Sequence, residues 1–167
     1  MEWPDRTSQE KQHLNNHHLV ATSCHGFLRA YEVLRDHVRS SVFRAPATAL
    51  DDFGALVVPQ VVLIAFAAEL ALKTLLIQSN NMGDPLKSNK GGEHDLGILF
   101  ARLPNDLQRT LVTVTSGDRS TFDTNMKLNA LAFNQWRYVH ESRELNVDEE
   151  SLERLVRAMT REFQPRT

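Results

Sequence analysis

The sequence contains a single cysteine, Cys24, in 167 residues. One cysteine excludes an internal disulfide and any zinc site built from several cysteines, and it fits a cytoplasmic protein in a reducing environment. The chain also lacks an excess of charge of one sign, since its formal net charge is −2. No global positive field would therefore draw the protein onto nucleic acid or an anionic membrane.

The sequence lacks the short motifs that mark common nucleotide-dependent and acyl-transfer enzymes. It contains no GxxxxGK[ST] phosphate loop, no GxGxxG dinucleotide turn, no GxSxG nucleophile elbow and no paired-cysteine metal pattern. These absences disfavour nucleotide hydrolysis, nicotinamide chemistry and acyl transfer, and we expect no cofactor. A less familiar enzyme remains open.

The sequence also has almost no strand pattern. The only β-prone stretch, LVTVT at 111–115, is short and has no partner run. Elsewhere, apolar residues recur at spacings of three, four and seven, which is typical of amphipathic helices. The chain is therefore predicted to form one all-α domain over 1–167, a bundle of four to five principal helices with the second helix at its centre.

Glycine, proline and polar clusters set the predicted boundaries of these helices. Residues 1–8 are expected to be disordered, and polar connectors are expected at 40–54 and 113–119. The segment SNNMGDPLKSNKGGE at 79–93 is predicted to be a long loop. Helices are predicted at 8–38, from after Gly54 to 78, at 94–102, 104–111 and 121–141, and after an N-cap at Asp148.

The most apolar stretch of the chain, at 57–77, contains two charged residues. Glu69 and Lys73 lie there four residues apart, in the order that favours an ion pair on one face of a helix. The run is long enough to span a membrane, but a charge near its middle makes a buried helix of a soluble bundle the better interpretation. Because unpaired buried charge is very costly, Glu69 is predicted to be buried beside a cation, either Lys73 or Arg137.

A second charged cluster lies in NQWRYVHE at 134–141. Arg137 and Glu141 would share one helical face, with His140 one turn from Arg137 and Tyr138 to the side. If the second and fourth predicted helices pack antiparallel, this cluster would meet Glu69 and Lys73. The result would be a buried charge network between the two helices.

The order of these segments resembles the HEPN superfamily. An apolar helix with AAELALKTLLI is followed by a glycine-rich loop, GGEHDLGILFARL and a late WRYVHE, over roughly half of the chain. Members are helical bundles, commonly homodimeric, and many are prokaryotic ribonuclease toxins, RNA-targeting defence proteins or partners of small nucleotidyltransferases. The resemblance implies that the following residues occupy recurrent positions of the fold: Glu69, Lys73, His94, Asp95, Leu99, Arg137, Tyr138 and Glu141.

Catalytic members of that family carry an arginine and a histidine separated by four to six residues. This chain departs from the pattern, because only two residues separate Arg137 from His140. The resemblance therefore favours a protein that binds RNA or a protein partner, such as an antitoxin or a nucleotidyltransferase. Two alternatives stay open: a metal-independent endoribonuclease that uses Arg137 and His140 at a dimer cleft, and an interaction module with no nucleic-acid role.

Other side chains are weaker candidates for a site. His94 and Asp95 open a predicted helix and are expected to cap its backbone N–H groups. His13 and His17 have a spacing that can hold a metal, but no third ligand is evident, so we expect no metal site and a solvated face on which His18 and His25 also lie. The possible phosphate contacts are the basic residues of the long loop and of the last helix: Lys87, Lys90, Arg154, Arg157 and Arg161.

Overall fold

The computed structural model describes residues 6–44, 46–79, 94–133 and 147–163, with side chains from residue 17 onward except 41–54. These residues form helices and turns, and no strand occurs among them. The all-α prediction is therefore confirmed. The helices are α1 (Arg6–Arg44), α2 (Pro46–Gln78), α3 (Leu96–Ala101), α4 (Asn105–Thr115), α5 (Arg119–Asn129) and α6 (Glu149–Arg161).

Helix α2 lies at the centre of the bundle, as predicted. It packs along α1 and also contacts α3 and α6. Its buried face is rich in alanine, and this lets neighbouring helices approach closely. Cys24 of α1 meets this face, with its Sγ atom 3.4 Å from the carbonyl oxygen of Ala67. Burial raises the pKa of the Cys24 thiol to about 12, so this cysteine is a packing residue and not a reactive one.

The prediction of a connector at 40–54 is wrong. Helix α1 continues to Arg44, and α2 already begins at Pro46. Proline suits the first turn of a helix because its missing N–H group would have had no partner there. Two aspartates and a glycine then fall inside the opening turns of a 33-residue helix, where they are tolerated. Helix α1 begins at Arg6, so it includes residues 6–8.

The prediction of one continuous helix at 121–141 is also wrong. Helix α5 ends at Asn129, the chain turns at Ala130 and Leu131, and helical geometry resumes at Ala132. The buried Asn129 side chain bonds to the start of α6, donating to Ser151 Oγ at 2.8 Å and accepting from the Asp148 N–H group at 3.0 Å. The carbonyl of Ala130 accepts from the N–H group of Leu96 at 2.9 Å. Hydrogen bonds to α6 and to Leu96 thus take the place of the hydrogen bonds that a continuing helix would form at this turn.

The remaining boundaries agree more closely with the sequence. The break predicted at 113–119 is shorter than expected, because α4 runs to Thr115 and only 116–118 separate it from α5. Gly117 takes a φ of 76° in this turn, a left-handed conformation that favours glycine. Asp148 caps α6 as predicted, accepting from the N–H group of Ser151. The loop predicted at 79–93 lies outside the described residues from Asn80 onward.

One segment of α2 meets the length and composition of a membrane span. It comprises Ala55–Gln78, and 50% of its most apolar window is buried inside the fold. The central helix of a soluble bundle passes the same test, so this segment is weak evidence for a membrane span.

Candidate functional site

The candidate site is centred on Glu69, deep inside the bundle. Helix α2 carries this residue on its buried face, where only 1% of it is exposed. Lys73, one turn later, is 8% exposed, and its Nζ atom donates to Glu69 Oε1 at 2.7 Å. The prediction that Glu69 is buried beside a cation is confirmed, and that cation is Lys73.

His94 supplies the third member of the site. It lies just before α3, and its Nδ1 atom is 3.0 Å from both carboxylate oxygens of Glu69. The prediction that His94 caps α3 is therefore wrong. Asp95 alone is the N-cap, accepting from the Ile98 N–H group at 3.0 Å. His94 is drawn instead to the buried carboxylate, since Glu69 has lone pairs left after Lys73 has donated to it.

These contacts determine which nitrogen of a neutral His94 ring is the hydrogen-bond acceptor. An ionised carboxylate only accepts hydrogen bonds, so Nδ1 carries the proton and donates it to Glu69. In a neutral imidazole, Nε2 is then the acceptor. The His94 side chain is 38% exposed, and Nε2 forms no hydrogen bond with any residue that the structure describes. We call Glu69, Lys73 and His94 the Glu69 cluster. It combines a buried ion pair with a half-exposed, oriented imidazole.

Three phenylalanine rings from different parts of the chain lie in a row that ends beside the Glu69 cluster. The ring of Phe133 lies 6.0 Å from the His94 ring, centroid to centroid. Phe133 stacks on Phe66 of α2 at 4.6 Å, and Phe66 meets Phe27 of α1 edge-on at 4.6 Å. These rings are only partly buried, and they extend the apolar core up to the imidazole.

Several predicted site residues lie outside the described part of the chain. Phe133 is the last described residue before Arg137, Tyr138, His140 and Glu141. The predicted meeting of Glu69 with that second cluster therefore stays a prediction. The same holds for the phosphate contacts proposed for Lys87 and Lys90.

The three arginines of α6 lie in different environments. Arg157 donates to Glu153 on its own helix and to Glu32 on α1, at 2.9 and 2.7 Å. Arg154 pairs with Glu150 at 2.7 Å. Arg161 is exposed and has no ion pair with any described residue. A phosphate would have to compete with carboxylates for two of these three side chains.

A second polar cluster joins α1 to α6, and no local sequence pattern predicts it. The hydroxyl of buried Tyr31 donates to Glu149 Oε1 at 2.8 Å and lies 3.0 Å from Glu153 Oε2. Arg35 also pairs with Glu153, and Gln60 of α2 donates to Glu149. We call this set, together with Glu32 and Arg157, the Glu153 network.

The Glu153 network changes the ionisation of its members. Partial burial alone would raise the pKa of the Glu153 carboxyl, but hydrogen bonds from Arg35, Arg157 and Tyr31 outweigh it and lower the pKa to about 2. Burial, followed by the neighbouring Glu149 and Glu153 carboxylates, raises the pKa of the Tyr31 hydroxyl well above its usual range. The network is therefore a set of fixed charges at neutral pH, which suits a structural clamp.

The predicted solvated histidine face of α1 is confirmed only in part. His17 is buried and His18 is exposed, while the ring of exposed His25 packs edge-on against Phe163, with centroids 5.5 Å apart. The side chain of His13 lies outside the described set. Across the described ranges, no three His, Cys, Asp or Glu side chains are grouped so that they could hold a metal ion.

No protein-family model matches this chain, and no curated protein and no solved structure matches it significantly. The site must therefore be interpreted from its own geometry.

Proposed function

We propose that this chain is a HEPN-like helical protein that binds RNA as a homodimer, in a prokaryotic toxin–antitoxin or defence system. The observation that carries the proposal is the Glu69 cluster. Glu69 and Lys73 come from the apolar-helix motif and His94 from the HDL motif. These are the segments on which the HEPN resemblance rests, and their side chains meet at one place on the central helix.

The form of the cluster supports a binding site more than a simple internal ion pair. Lys73 already neutralises Glu69, so the pair does not need a further partner for charge balance. The cluster nevertheless also orients His94, whose side chain is more than one-third exposed. A ligand could reach this imidazole without the bundle opening.

RNA binding is tested by fluorescence anisotropy with labelled single-stranded RNA over a series of salt concentrations. Because phosphate contacts release counterions, the affinity should fall steeply as salt increases. Replacing Lys87 and Lys90 with glutamate should weaken binding and reduce the salt slope. Lys127→Glu is the matched control, since Lys127 is an exposed lysine on α5. A protein that shows no salt-dependent binding to any RNA would instead be an interaction module for a protein partner.

The homodimer is tested separately by sedimentation. The chain has a mass of 19.0 kDa, so the expected particle is twice that mass at micromolar concentration. A particle of one chain's mass at every concentration would refute the dimer.

An endoribonuclease that uses Arg137 and His140 is the second candidate. One observation favours it: Phe133, which precedes these two residues closely in the sequence, packs beside His94. The test is incubation of total RNA with the purified protein in EDTA. Cleavage that is lost in Arg137→Ala/His140→Ala would support an enzyme, whereas identical RNA profiles with and without protein would exclude this activity.

A further inference from the structure

The Glu69 cluster has one property that RNA binding alone does not require. Its exposed member is held in a single tautomer. Glu69 accepts from Lys73 at 2.7 Å and from His94 Nδ1 at 3.0 Å, so the proton of a neutral imidazole is fixed on Nδ1. The remaining acceptor of that ring is the lone pair of Nε2, on a side chain that is 38% exposed.

An accepting nitrogen binds only a ligand group that can donate a hydrogen bond. Phosphate oxygens are themselves only acceptors, so they would repel Nε2 and not bind it. The ligand group must donate a hydrogen bond. In single-stranded RNA, the 2′-hydroxyl is a donor that occurs on every nucleotide and is absent from DNA.

We infer that His94 is the residue that distinguishes RNA from DNA in this protein, by accepting a hydrogen bond from a ribose 2′-hydroxyl at Nε2. Glu69 acts as the positioning residue, because its carboxylate holds the imidazole in the accepting tautomer. Lys73 donates to the same carboxylate at 2.7 Å, so Glu69 accepts from both neighbours. This inference rests on the proposed RNA binding and adds the chemical group that is recognised.

The depth of Glu69 explains how this selectivity would be maintained. The carboxylate is 1% exposed, and His94 Nδ1 lies 3.0 Å from both of its oxygens, so two acceptors hold the ring in one orientation. A histidine on an open surface could rotate and present either nitrogen. The hydrogen bonds to buried Glu69 prevent this rotation of the His94 ring.

The experiment compares three labelled oligonucleotides of one mixed sequence and equal length: RNA, the 2′-deoxy form with deoxyuridine, and the 2′-O-methyl form. The wild-type protein should bind RNA about threefold to tenfold more tightly than either analogue, as expected for one hydrogen bond. His94→Phe should abolish this preference by weakening RNA binding alone. The phenylalanine ring keeps the packing against Phe133.

His94→Gln serves as the conservative variant, since its amide oxygen can accept a hydrogen bond and should restore part of the preference. His37→Phe is the matched control, because His37 is an exposed histidine on α1 and should not alter it. Circular dichroism and melting temperature establish that each variant is folded.

Each other result overturns the inference in a recognisable way. Equal weakening of RNA and DNA in His94→Phe would show that His94 contacts phosphate or base and not the 2′-hydroxyl. Equal binding of RNA and DNA by the wild type would overturn the inference and leave RNA binding intact. Absence of binding to all three oligonucleotides would remove the proposed function as well.

Discussion

The two polar clusters of this protein achieve stability in different ways. The Glu69 cluster has few members, and its ion pair is buried, with Glu69 at 1% and Lys73 at 8% exposure. The Glu153 network has more members, and the Glu153 side chain is 17% exposed. In the first, loss of Glu69 leaves the buried Lys73 ammonium without its carboxylate. In the second, several partners share each carboxylate. Depth should therefore matter more than the number of hydrogen bonds.

The largest expected effect is that of Glu69→Ala. Removing the carboxylate leaves the Lys73 ammonium buried without its partner, which costs about 3–5 kcal/mol in other buried pairs. We expect a loss of this size in the free energy of unfolding, measured by urea denaturation at pH 7.

The matched control is the double variant Glu69→Ala/Lys73→Met. Because methionine removes the stranded charge and keeps the apolar stem, the double variant should be more stable than Glu69→Ala alone. An unchanged melting temperature in Glu69→Ala would contradict the claim that burial makes this pair indispensable.

The next effect is a pH dependence in the Glu153 network. The pKa of Glu153 is lowered from 4.5 to about 2 in the folded state. A lowered pKa stabilises the fold fully above pH 4.5, and this contribution is lost as the pH falls towards 2. The lowered pKa of Glu153 contributes roughly 2–3 kcal/mol to the free energy of unfolding at pH 7, after this contribution is reduced for the partial exposure of the side chain.

Glu153→Gln isolates that contribution from the titration of other carboxylates. The difference in unfolding free energy between wild type and variant should be largest at neutral pH and should shrink between about pH 5 and pH 2. A difference that stays constant over this range would show that the charge of Glu153 contributes nothing.

The contrast between the clusters also explains what the sequence could predict. Glu69 and Lys73 stand out as charges in an apolar run, so the cost of burying them is visible without a structure. The sequence marks His94 as a candidate site residue but predicts a helix cap and not a partner of Glu69, because Glu69 lies 25 residues earlier in the chain. Nothing local marks Tyr31, whose carboxylate partners follow 118 and 122 residues later.

Some helix boundaries were predicted wrongly for the same reason, because the residues that set them have partners far away in the sequence. Asn129 looks like an ordinary interior residue of a predicted helix, and only its bonds to Asp148 and Ser151 show why α5 ends there. Pro46 and Gly54 resemble a loop, yet they lie within α2, where packing on α1 outweighs local preference. Local patterns identified the helices, whereas tertiary partners decided where they end.

A smaller effect is expected from Tyr31→Phe. This change keeps the buried ring and removes one hydroxyl between Glu149 and Glu153. Both carboxylates retain other donors, Gln60 and the two arginines. The expected loss in urea denaturation is about 1 kcal/mol, the usual net value of one hydrogen bond. A loss as large as that of Glu69→Ala would contradict the view that shared partners compensate for one another.

The smallest expected effects come from two arginines of α6 that differ in their partners but hardly in exposure. The side chains of Arg154 and Arg157 are 45% and 41% exposed, but their partners differ, since Glu150 is 82% exposed and Glu32 is 19% exposed. Arg154 reaches only Glu150 on its own helix, whereas Arg157 also bonds Glu32 of α1. Arg154→Ala should therefore change the unfolding free energy by less than about 0.5 kcal/mol, and Arg157→Ala should lower it by about 1 kcal/mol. Equal values for the two variants would mean that neither the burial of Glu32 nor the link between α1 and α6 strengthens the pairs of Arg157.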